Sequence, residues 1–272
     1  MSRVRDAYRE LWRTGTALGV VPAIRRAIVA ARTGPSGWRY TTRLDGLEAT
    51  FRTETWYEYK RATRLHGERR VISRLLDDVS GDEVCWDVGA NVGVYACFVA
   101  RKLTSGLVVG IEPEPRNRSR LEDNLRANAP AERWRTSPVA LSDVDGPAFL
   151  DFGHPDVRRG EYGAGHYHLT PEPGPLPVDC VRGATLVERG VPAPDLLKID
   201  VQGAELNVLR GLGSALDGVE VAYVELHPEQ ARRYGATAEA CERFLLEAGF
   251  GLEALGEPAG NRPGAYHVRA SR

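Results

Sequence analysis

From residue 81 onward, short apolar runs alternate with longer segments in which apolar residues recur every three or four positions. The runs predict strands at 84–88, 107–111, 134–141, 147–152, 177–181, 196–201, 219–226, 250–255 and 265–270. The longer segments predict helices at 92–103, 115–128, 203–212 and 237–248. Such alternation is typical of an α/β fold in which helices cover both faces of a mostly parallel sheet.

The first 80 residues follow a different pattern. Residues 3–32 predict one or two short helices that break near 19–22, and two β-prone runs flank Asp45-Gly46, a strong hairpin signal. A helical periodicity then extends from Trp56 to Val79. We therefore divide the chain into a helical and β-hairpin extension (1–70) and a main domain (71–272).

Charge is balanced over the whole chain but not along it. The 36 Lys and Arg residues nearly cancel the 37 Asp and Glu residues, which argues against a general nucleic-acid binder. Residues 1–70 nevertheless contain 15 basic and 7 acidic residues, a net charge of +8. This extension is either a solvated segment or a basic amphipathic element that contacts a membrane surface or a partner protein.

The four cysteines are scattered without a C-x-x-C pair, which suits neither a disulfide framework nor a zinc site. We therefore expect a reducing, cytoplasmic location. Charged residues interrupt every apolar stretch near the amino terminus, so neither a signal peptide nor a transmembrane segment is expected. The sequence does not indicate an oligomeric state.

One segment departs from the strand–helix rhythm. Residues 153–177 contain ten Gly or Pro residues and three of the six histidines. Loops of this length inside a domain are lids, binding loops or disordered segments. The side chains of Tyr162, His166, Tyr167 and His168 would suit binding of a sugar or of an aromatic molecule.

The clearest chemical motif is Asp87-Val88-Gly89-Ala90-Asn91-Val92-Gly93, at the end of the first main-domain strand. A glycine turn between a strand and a helix brings backbone N–H groups close to a ligand. The motif lacks the G-x-G-x-x-G spacing of dinucleotide sites, and its acid suits a cationic amino-acid group. Glu112 ends the next strand, where a carboxylate can accept hydrogen bonds from ribose hydroxyls.

Five segments in order resemble the FkbM-type S-adenosylmethionine-dependent methyltransferases: DVGANVGVYA, IEPEPRNRSRLEDNLRAN, VALSD, LLKIDVQGAELNVLRG and YVEL. The resemblance extends from about Glu68 to Gly249. It implies a Rossmann-like, seven-stranded, mostly parallel sheet and methyl transfer to oxygen. The implied acceptor is a small molecule, such as a sugar, a lipid or a secondary metabolite.

The resemblance also implies which residues bind S-adenosylmethionine. The turn from Asp87 to Gly93 would hold the methionine end, Glu112 the ribose, and Glu68 the ammonium group. The segment around Pro113, Ala140 and Leu141 would flank the adenine. The implied cofactor-binding set is Glu68, Asp87, Gly89, Ala90, Asn91, Gly93, Glu112, Pro113, Ala140, Leu141, Ser142 and Asp200.

Asp200, Glu225 and His227 are the candidate catalytic residues. Asp200 and Glu225 lie at the ends of neighbouring predicted strands and should face one crevice. Glu205 begins the next helix, where a capping role is equally consistent with the pattern. We expect Lys198 to point away from Asp200 or towards a neighbouring layer, and to be packed or paired.

Two chemistries fit these residues. In one, His227 or Asp200 removes the proton of an acceptor hydroxyl. In the other, Asp200 and Glu225, with or without His227, hold a divalent cation that acidifies that hydroxyl. Two alternatives of other classes stay open at this point: an NAD-dependent oxidoreductase on a Rossmann fold and a non-catalytic binding protein that retains the cofactor fold.

Overall fold

The computed structural model describes residues 19–152, 167–255 and 264–272. Its strands are β1 (Arg39–Leu44), β2 (Leu47–Arg52), β3 (Val84–Val88), β4 (Leu107–Ile111), β5 (Trp134–Ser137), β6 (Ala140–Leu141), β7 (Gly146–Phe152), β8 (Tyr167–Thr170), β9 (Leu176–Val181), β10 (Leu196–Ile199), β11 (Val221–Leu226), β12 (Gly251–Ala254) and β13 (Tyr266–Ser271). Its helices are α1 (Val20–Thr33), α2 (Trp56–Arg64), α3 (Arg69–Asp77), α4 (Val94–Lys102), α5 (Pro115–Asn128), α6 (Gly183–Glu188), α7 (Glu205–Gly211), α8 (Pro228–Ala231) and α9 (Ala238–Glu247).

Seven strands form the central sheet in the order β12-β13-β11-β10-β3-β4-β5. All neighbouring pairs are parallel except the two that include β13. The chain runs outward in one direction from β3 to β5 and in the other from β10 to β11. The switch point between β3 and β10 is where open α/β sheets bind ligands. The predicted Rossmann-like, seven-stranded fold is confirmed.

The sheet has a hydrophobic core on each face, because successive strand residues point to opposite sides. Trp86 and Leu197 belong to the core that α7 and α9 cover, whereas Cys85, Val108 and Tyr223 belong to the core that α3, α4 and α5 cover. All four cysteines are buried and unbridged. None of the described helices combines the length and apolar composition needed to cross a lipid bilayer.

The predicted hairpin is present and packs into the second of these cores. Asp45 and Gly46 form its turn with φ angles of 50° and 80°, as a two-residue hairpin loop requires. The ring of Phe51 lies 6.0 Å from that of Phe98 in α4. Residues 39–65 therefore share a hydrophobic core with residues assigned to the main domain.

Side chains from α5 complete the hydrogen bonding of β2. Asn128 accepts a hydrogen bond from the backbone N–H of Thr50 and donates one to its carbonyl, both at 2.8 Å. Asn124 accepts one from the N–H of Arg52 at 2.8 Å. Two amide side chains thus occupy the edge of β2 that β1 leaves open, and they join the hairpin to the main domain.

The prediction of one helix over 56–79 is wrong. The helix ends after Arg64 and restarts at Arg69, because Leu65 and Gly67 adopt left-handed φ angles of 47° and 90°. Thr55 and Glu58 form a capping box at the start of α2, which stabilises this end of the helix. The break places Glu68 at the start of α3, where its side chain is buried.

A second, four-stranded sheet has the order β6-β9-β7-β8. Two predictions change with it. The single strand over 134–141 is in fact two strands in different sheets, and the predicted loop over 153–177 contains β8 and the start of β9. Tyr162 and His166 lie outside the described residues, whereas Tyr167 and His168 belong to β8.

Candidate active site

The turn after β3 lies at the switch point and depends on Gly89. Its φ is 78°, and a Cβ there would lie 2.0 Å from the backbone oxygen of Asp200. The N–H groups of Gly89 and Ala90 donate to the carbonyl of Ile111 at the end of β4. Gly89 is therefore required for close contact between backbone segments, independently of any ligand.

Gly93 serves helix packing. Its φ is 85°, and a Cβ there would lie 2.5 Å from Leu121 Cδ1 of α5. Gly93 is absent from the walls of both cavities described below. The glycine allows α4 and α5 to approach each other, which positions the start of α4 beneath the turn.

A large cavity of about 690 Å³, including its open mouth, lies beyond the carboxyl ends of the strands. Apolar residues of the central sheet and of the second sheet form most of its wall. Its lining residues are Arg61, Val88, Gly89, Asn91, Ile111, Glu112, Pro113, Val139, Ala140, Leu141, Leu150, Tyr167, Leu169, Asp200, Val201, Gln202 and Ala204. A cavity with mainly apolar walls and a few polar groups is typical of a small-molecule site.

Glu112 is the buried carboxylate of the large cavity. Its two oxygens accept hydrogen bonds from the backbone N–H groups of Asn91 at 2.8 Å and Glu114 at 2.9 Å. Burial raises the pKa of Glu112 to about 7 despite these two donors. Each carboxylate oxygen has a second lone pair, so Glu112 can still accept hydrogen bonds from a ligand.

A small cavity of about 360 Å³, including open space, adjoins the large one. Arg61, Gly89, Asn91 and Asp200 line both cavities. The other residues of the small cavity are Leu65, Glu68, Asp87, Ala90, Val92, Val94, Tyr95 and Lys198. Its wall therefore concentrates ionisable side chains, in contrast to the mainly apolar wall of the large cavity.

Glu68 and Asp87 are acids that contribute to the small cavity. Glu68 Oε2 accepts a hydrogen bond from the hydroxyl of Tyr95 at 2.8 Å. Burial, together with the charge of Glu225, raises the pKa of Glu68 to about 7. Asp87 Oδ2 accepts from the N–H of Ala96 at 3.0 Å, whereas Oδ1 is buried without a hydrogen-bond partner among the described residues. A donor in the cavity would satisfy that oxygen.

The expectation that Lys198 points away from Asp200 is wrong. Its Nζ lies 3.5 Å from Asp200 Oδ2 and 4.0 Å from Asp87 Oδ1. Residues two apart in a strand share a face, so the alternation itself puts Lys198 on the side of Asp200. Burial alone would lower the pKa of Lys198, but the surrounding carboxylates raise it above its usual value. Lys198 is therefore a paired, buried cation.

His227 is buried in a network of acids. Its Nδ1 lies 2.9 Å from Glu205 Oε1, and its Nε2 lies 3.5 Å from Glu225 Oε1. Burial alone would lower the pKa of His227, but hydrogen bonds with these two carboxylates raise it to about 10. The neighbouring carboxylates thus favour the protonated imidazole, and its side chain has no exposed surface.

Gln202 links this network to the cavities. Its amide Nε2 donates to Asp200 Oδ1 at 2.8 Å and lies 3.1 Å from His227 Nε2. Gln202 also lines the large cavity and has a φ of 58°. The side chain therefore connects the accessible Asp200 to the buried His227.

The structure brings most of the predicted residues together, but not all of them line the cavities. Of the three candidate catalytic residues, Asp200 lines the cavities, whereas Glu225 and His227 lie behind their described walls. Ser142 also lies outside those walls, and its hydroxyl contacts Asp143 Oδ1 at 3.2 Å. All other predicted cofactor-binding residues except Gly93 line at least one cavity.

Among the residues that the structure describes, two groups could supply three ligands to a metal ion. The ligand atoms of Asp200, Glu225 and His227 lie within 4.8 Å of one another, and so do those of Glu68, Glu225 and His267. In the first group, His227 already interacts with Glu205, and the ammonium of Lys198 lies next to Asp200. Protein cations thus already occupy the surroundings of Asp200.

Sequence reasoning missed several cavity residues. Arg61 comes from α2, and Leu150 and Leu169 come from the second sheet, whereas Tyr167 of that sheet was singled out from the sequence. Tyr234 holds this sheet in place, since its hydroxyl interacts with the backbone N–H and carbonyl of Leu169 at 2.9 and 3.1 Å. The missed positions have no local signal, because only the tertiary fold brings them to the strand ends.

Comparisons with known proteins agree with this architecture. The profile of the Methyltransferase FkbM domain matches residues 87–252. The hexuronic acid methyltransferase AglP of Haloferax volcanii is 33% identical over 201 residues, which cover 73% of this chain and 79% of AglP. The 2-O-methyltransferase NoeI of Sinorhizobium fredii is 27% identical over 186 residues, 63% of this chain and 73% of NoeI.

A solved structure is also similar. It is the magnesium protoporphyrin IX methyltransferase ChlM of Synechocystis PCC 6803 with bound SAM, which has a TM-score of 0.48 and 12% identity. The similarity covers 79% of this chain and 83% of the ChlM chain.

Proposed function

The chain belongs to the Methyltransferase FkbM domain family and is an S-adenosylmethionine-dependent methyltransferase, and from this premise we propose that it methylates a hydroxyl of an anionic sugar. The comparisons support neither of the sequence-based alternatives, an NAD-dependent oxidoreductase or a non-catalytic binding protein. The observation that carries the acceptor class is the position of Arg61, which lines both cavities.

The two cavities suit the two ends of the cofactor. The unpartnered Oδ1 of Asp87 and the buried carboxyl of Glu68 fit an ammonium group in the small cavity. Glu112 fits the ribose hydroxyls, and Pro113, Ala140 and Leu141 fit the adenine ring. In this arrangement Gly89, Ala90 and Asn91 form the wall of the small cavity, while Gly93 and Ser142 support the elements around the site.

Asp200 is the proposed general base. S-adenosylmethionine supplies an activated methyl group when it is bound. Asp200 would accept the proton of the acceptor hydroxyl as the new oxygen–carbon bond forms. Its carboxylate lines both cavities, and Lys198 and Gln202 hold it there. His227 suits this role less well, because acids surround it and no part of its side chain is exposed.

The cation hypothesis for Asp200 and Glu225 has a direct test. A protein in which Asp200 is the base keeps its turnover after exhaustive chelation, because Lys198 and His227 already balance charge around the carboxylates. Loss of turnover with EDTA and its return with Mg²⁺ or Mn²⁺ would support the cation instead.

The charge of the acceptor is inferred from the basic residues in and beside α2, the helix that contains Arg61. Burial and the charges of Arg25, Arg64 and Arg61 lower the pKa of Lys60 below its usual value. This concentration of positive charge favours an anionic ligand. AglP, the relative described above, acts on a hexuronic acid by its name, which supports an anionic sugar for this chain as well.

The test compares Arg61→Ala with Arg64→Ala, an exposed arginine in the same helix that lines neither cavity. We expect Arg61→Ala to raise KM for a uronic acid glycoside by about 10- to 100-fold, the loss of a charge-assisted hydrogen bond. The dissociation constant of the cofactor is measured for both variants as well, because Arg61 lines the two cavities assigned to the cofactor. Equal KM changes for a uronic acid glycoside and its neutral hexoside counterpart would contradict the anionic acceptor.

A further inference from the structure

Helix α1 presents an apolar face to solvent. Val20, Ile24 and Ile28 keep 51%, 54% and 38% of their surface exposed, and Ala23, Ala27 and Ala31 are exposed as well. With 3.6 residues per turn, these six positions fall on one stripe along the helix. We call this set the α1 stripe. The two buried residues of the helix, Val29 and Thr33, lie on the opposite side.

This orientation is the reverse of that of an ordinary surface helix, whose apolar side packs on the core and whose outer side is polar. Single exposed apolar residues are common on protein surfaces, but a continuous exposed patch marks an interaction site. The α1 stripe spans three turns without a polar residue. A surface of this kind therefore requires an apolar environment.

Positive charges flank the α1 stripe on both sides. The helix contains Arg25, Arg26 and Arg32 and no acidic residue. By helical geometry, Arg25 and Arg32 fall on one flank of the stripe and Arg26 on the other. The combination of an apolar stripe with flanking arginines is the pattern of a helix that lies in the plane of a membrane interface.

We propose that α1 docks this protein on an anionic lipid surface. Two other occupants of the α1 stripe are a second copy of this chain and residues 1–18. Charge complementarity favours lipid over both. In a symmetric pairing of two α1 stripes, the flanking arginines of both copies would face one another. Residues 1–18 contain four arginines and two acids, so this segment has the same charge sign as the flanks. An anionic headgroup layer attracts each of these arginines.

Docking through α1 would also orient the active site. The guanidinium of Arg25 lies 5.5 Å from the ring centroid of Trp56, the first residue of α2. Arg61, five residues further along α2, lines both cavities. A membrane against α1 would thus lie near α2, the helix that contains Arg61. This last point rests on the proposed function and suits a sugar acceptor carried on a lipid.

The experiment measures binding of the whole chain to vesicles by cosedimentation. The vesicles contain phosphatidylcholine, with or without phosphatidylglycerol. We expect binding to the anionic vesicles and much weaker binding to the neutral ones, with the difference reduced by salt. Ile24→Glu should lower the apparent partition coefficient by about tenfold or more, because a charge enters the apolar interface. Thermal unfolding should be unchanged, since the Ile24 side chain points outward.

Leu246→Glu is the matched control, because Leu246 is similarly exposed at 56% but lies in α9. This control should bind vesicles as the unchanged protein does. Three outcomes would overturn the proposal: no binding to anionic vesicles, equal loss of binding in both variants, or a dimer that Ile24→Glu dissociates. Methyl transfer to a soluble acceptor should be equal in all three proteins, which separates docking from catalysis.

Discussion

The large and the small cavity adjoin each other but are built differently. Apolar side chains and backbone surround the large cavity, and its carboxylate, Glu112, interacts with two backbone N–H groups. In the small cavity, Glu68, Asp87, Lys198 and Asp200 depend on one another for charge balance. A change in the large cavity should therefore alter mainly ligand affinity, whereas a change in the small cavity should also destabilise the fold.

The largest effect should come from Asp200, where the two cavities meet. Asp200→Asn removes the proposed base, and we expect kcat to fall by about two to four orders of magnitude. S-adenosylmethionine affinity, measured by calorimetry, should change far less than kcat. A kcat within threefold of that of the unchanged enzyme corresponds to a change of about 0.6 kcal/mol in activation free energy. Such a result would show that Asp200 is not the base.

Lys198→Met tests the interdependence of charges in the small cavity. Removing the ammonium leaves the buried carboxylate of Asp87 and the partly buried carboxylate of Asp200 without this cation, and we expect a loss of about 3–5 kcal/mol in the free energy of unfolding. The double variant Lys198→Met, Asp200→Asn should recover part of this loss. The free energies of unfolding of both variants are measured in urea. If Lys198→Met is as stable as the unchanged protein, the two cavities do not differ in charge interdependence as described.

Gly89→Ala affects both cavities at once. The new Cβ would collide with the backbone of Asp200, and the residue would keep a left-handed φ. We expect a loss of about 2–4 kcal/mol in unfolding free energy from strain and overpacking. Gly235→Ala is a control with a similar φ of 63° and open space around its Cβ position. Equal losses in the two variants would mean that the contact with Asp200 is unimportant.

Glu112→Ala should lower cofactor affinity, and it also removes the acceptor of two backbone N–H groups. We expect S-adenosylmethionine binding to weaken by about 1–3 kcal/mol, because charge-assisted hydrogen bonds are lost. Glu132→Ala, at an exposed position near β5, is the control. Calorimetry gives the dissociation constants, and an unchanged value for Glu112→Ala would exclude this residue from the cofactor site.

The smallest effect concerns the outer wall of the large cavity. Tyr234→Phe removes the hydroxyl that contacts the backbone of Leu169, and we expect cofactor affinity to fall by about 1 kcal/mol. Tyr266→Phe loses a hydrogen bond with Glu242, away from both cavities, and should leave affinity unchanged. Equal affinity in the two variants would show that the second sheet does not hold the cofactor.

Local signals in the sequence predicted much of this fold. The bounds of β4 and α5 agree with the predicted 107–111 and 115–128, because glycine, proline and charged residues mark their ends. The glycine turn and Glu112 also lie at the predicted strand ends. The break between α2 and α3 was missed, because a left-handed Leu65 has no sequence signature.

Contacts between distant segments account for the remaining differences. His227 looks like a base near a strand end, but Glu205 of α7 contacts it on one side and Glu225 of the preceding strand on the other. The predicted 153–177 loop contains a strand, because β7 supplies a partner for residues 167–170. Neither result follows from periodicity within one segment, since both depend on which elements become neighbours.

The asparagine contacts of β2 also bear on the order of events during synthesis. A ribosome releases the chain from its amino terminus, so β2 emerges before the side chains that complete its edge. Those side chains follow 72 and 78 residues later in the sequence. During that interval the outer edge of β2 is open to pairing with other chains. The amino-terminal hairpin therefore keeps an open strand edge in the nascent polypeptide until α5 has been made.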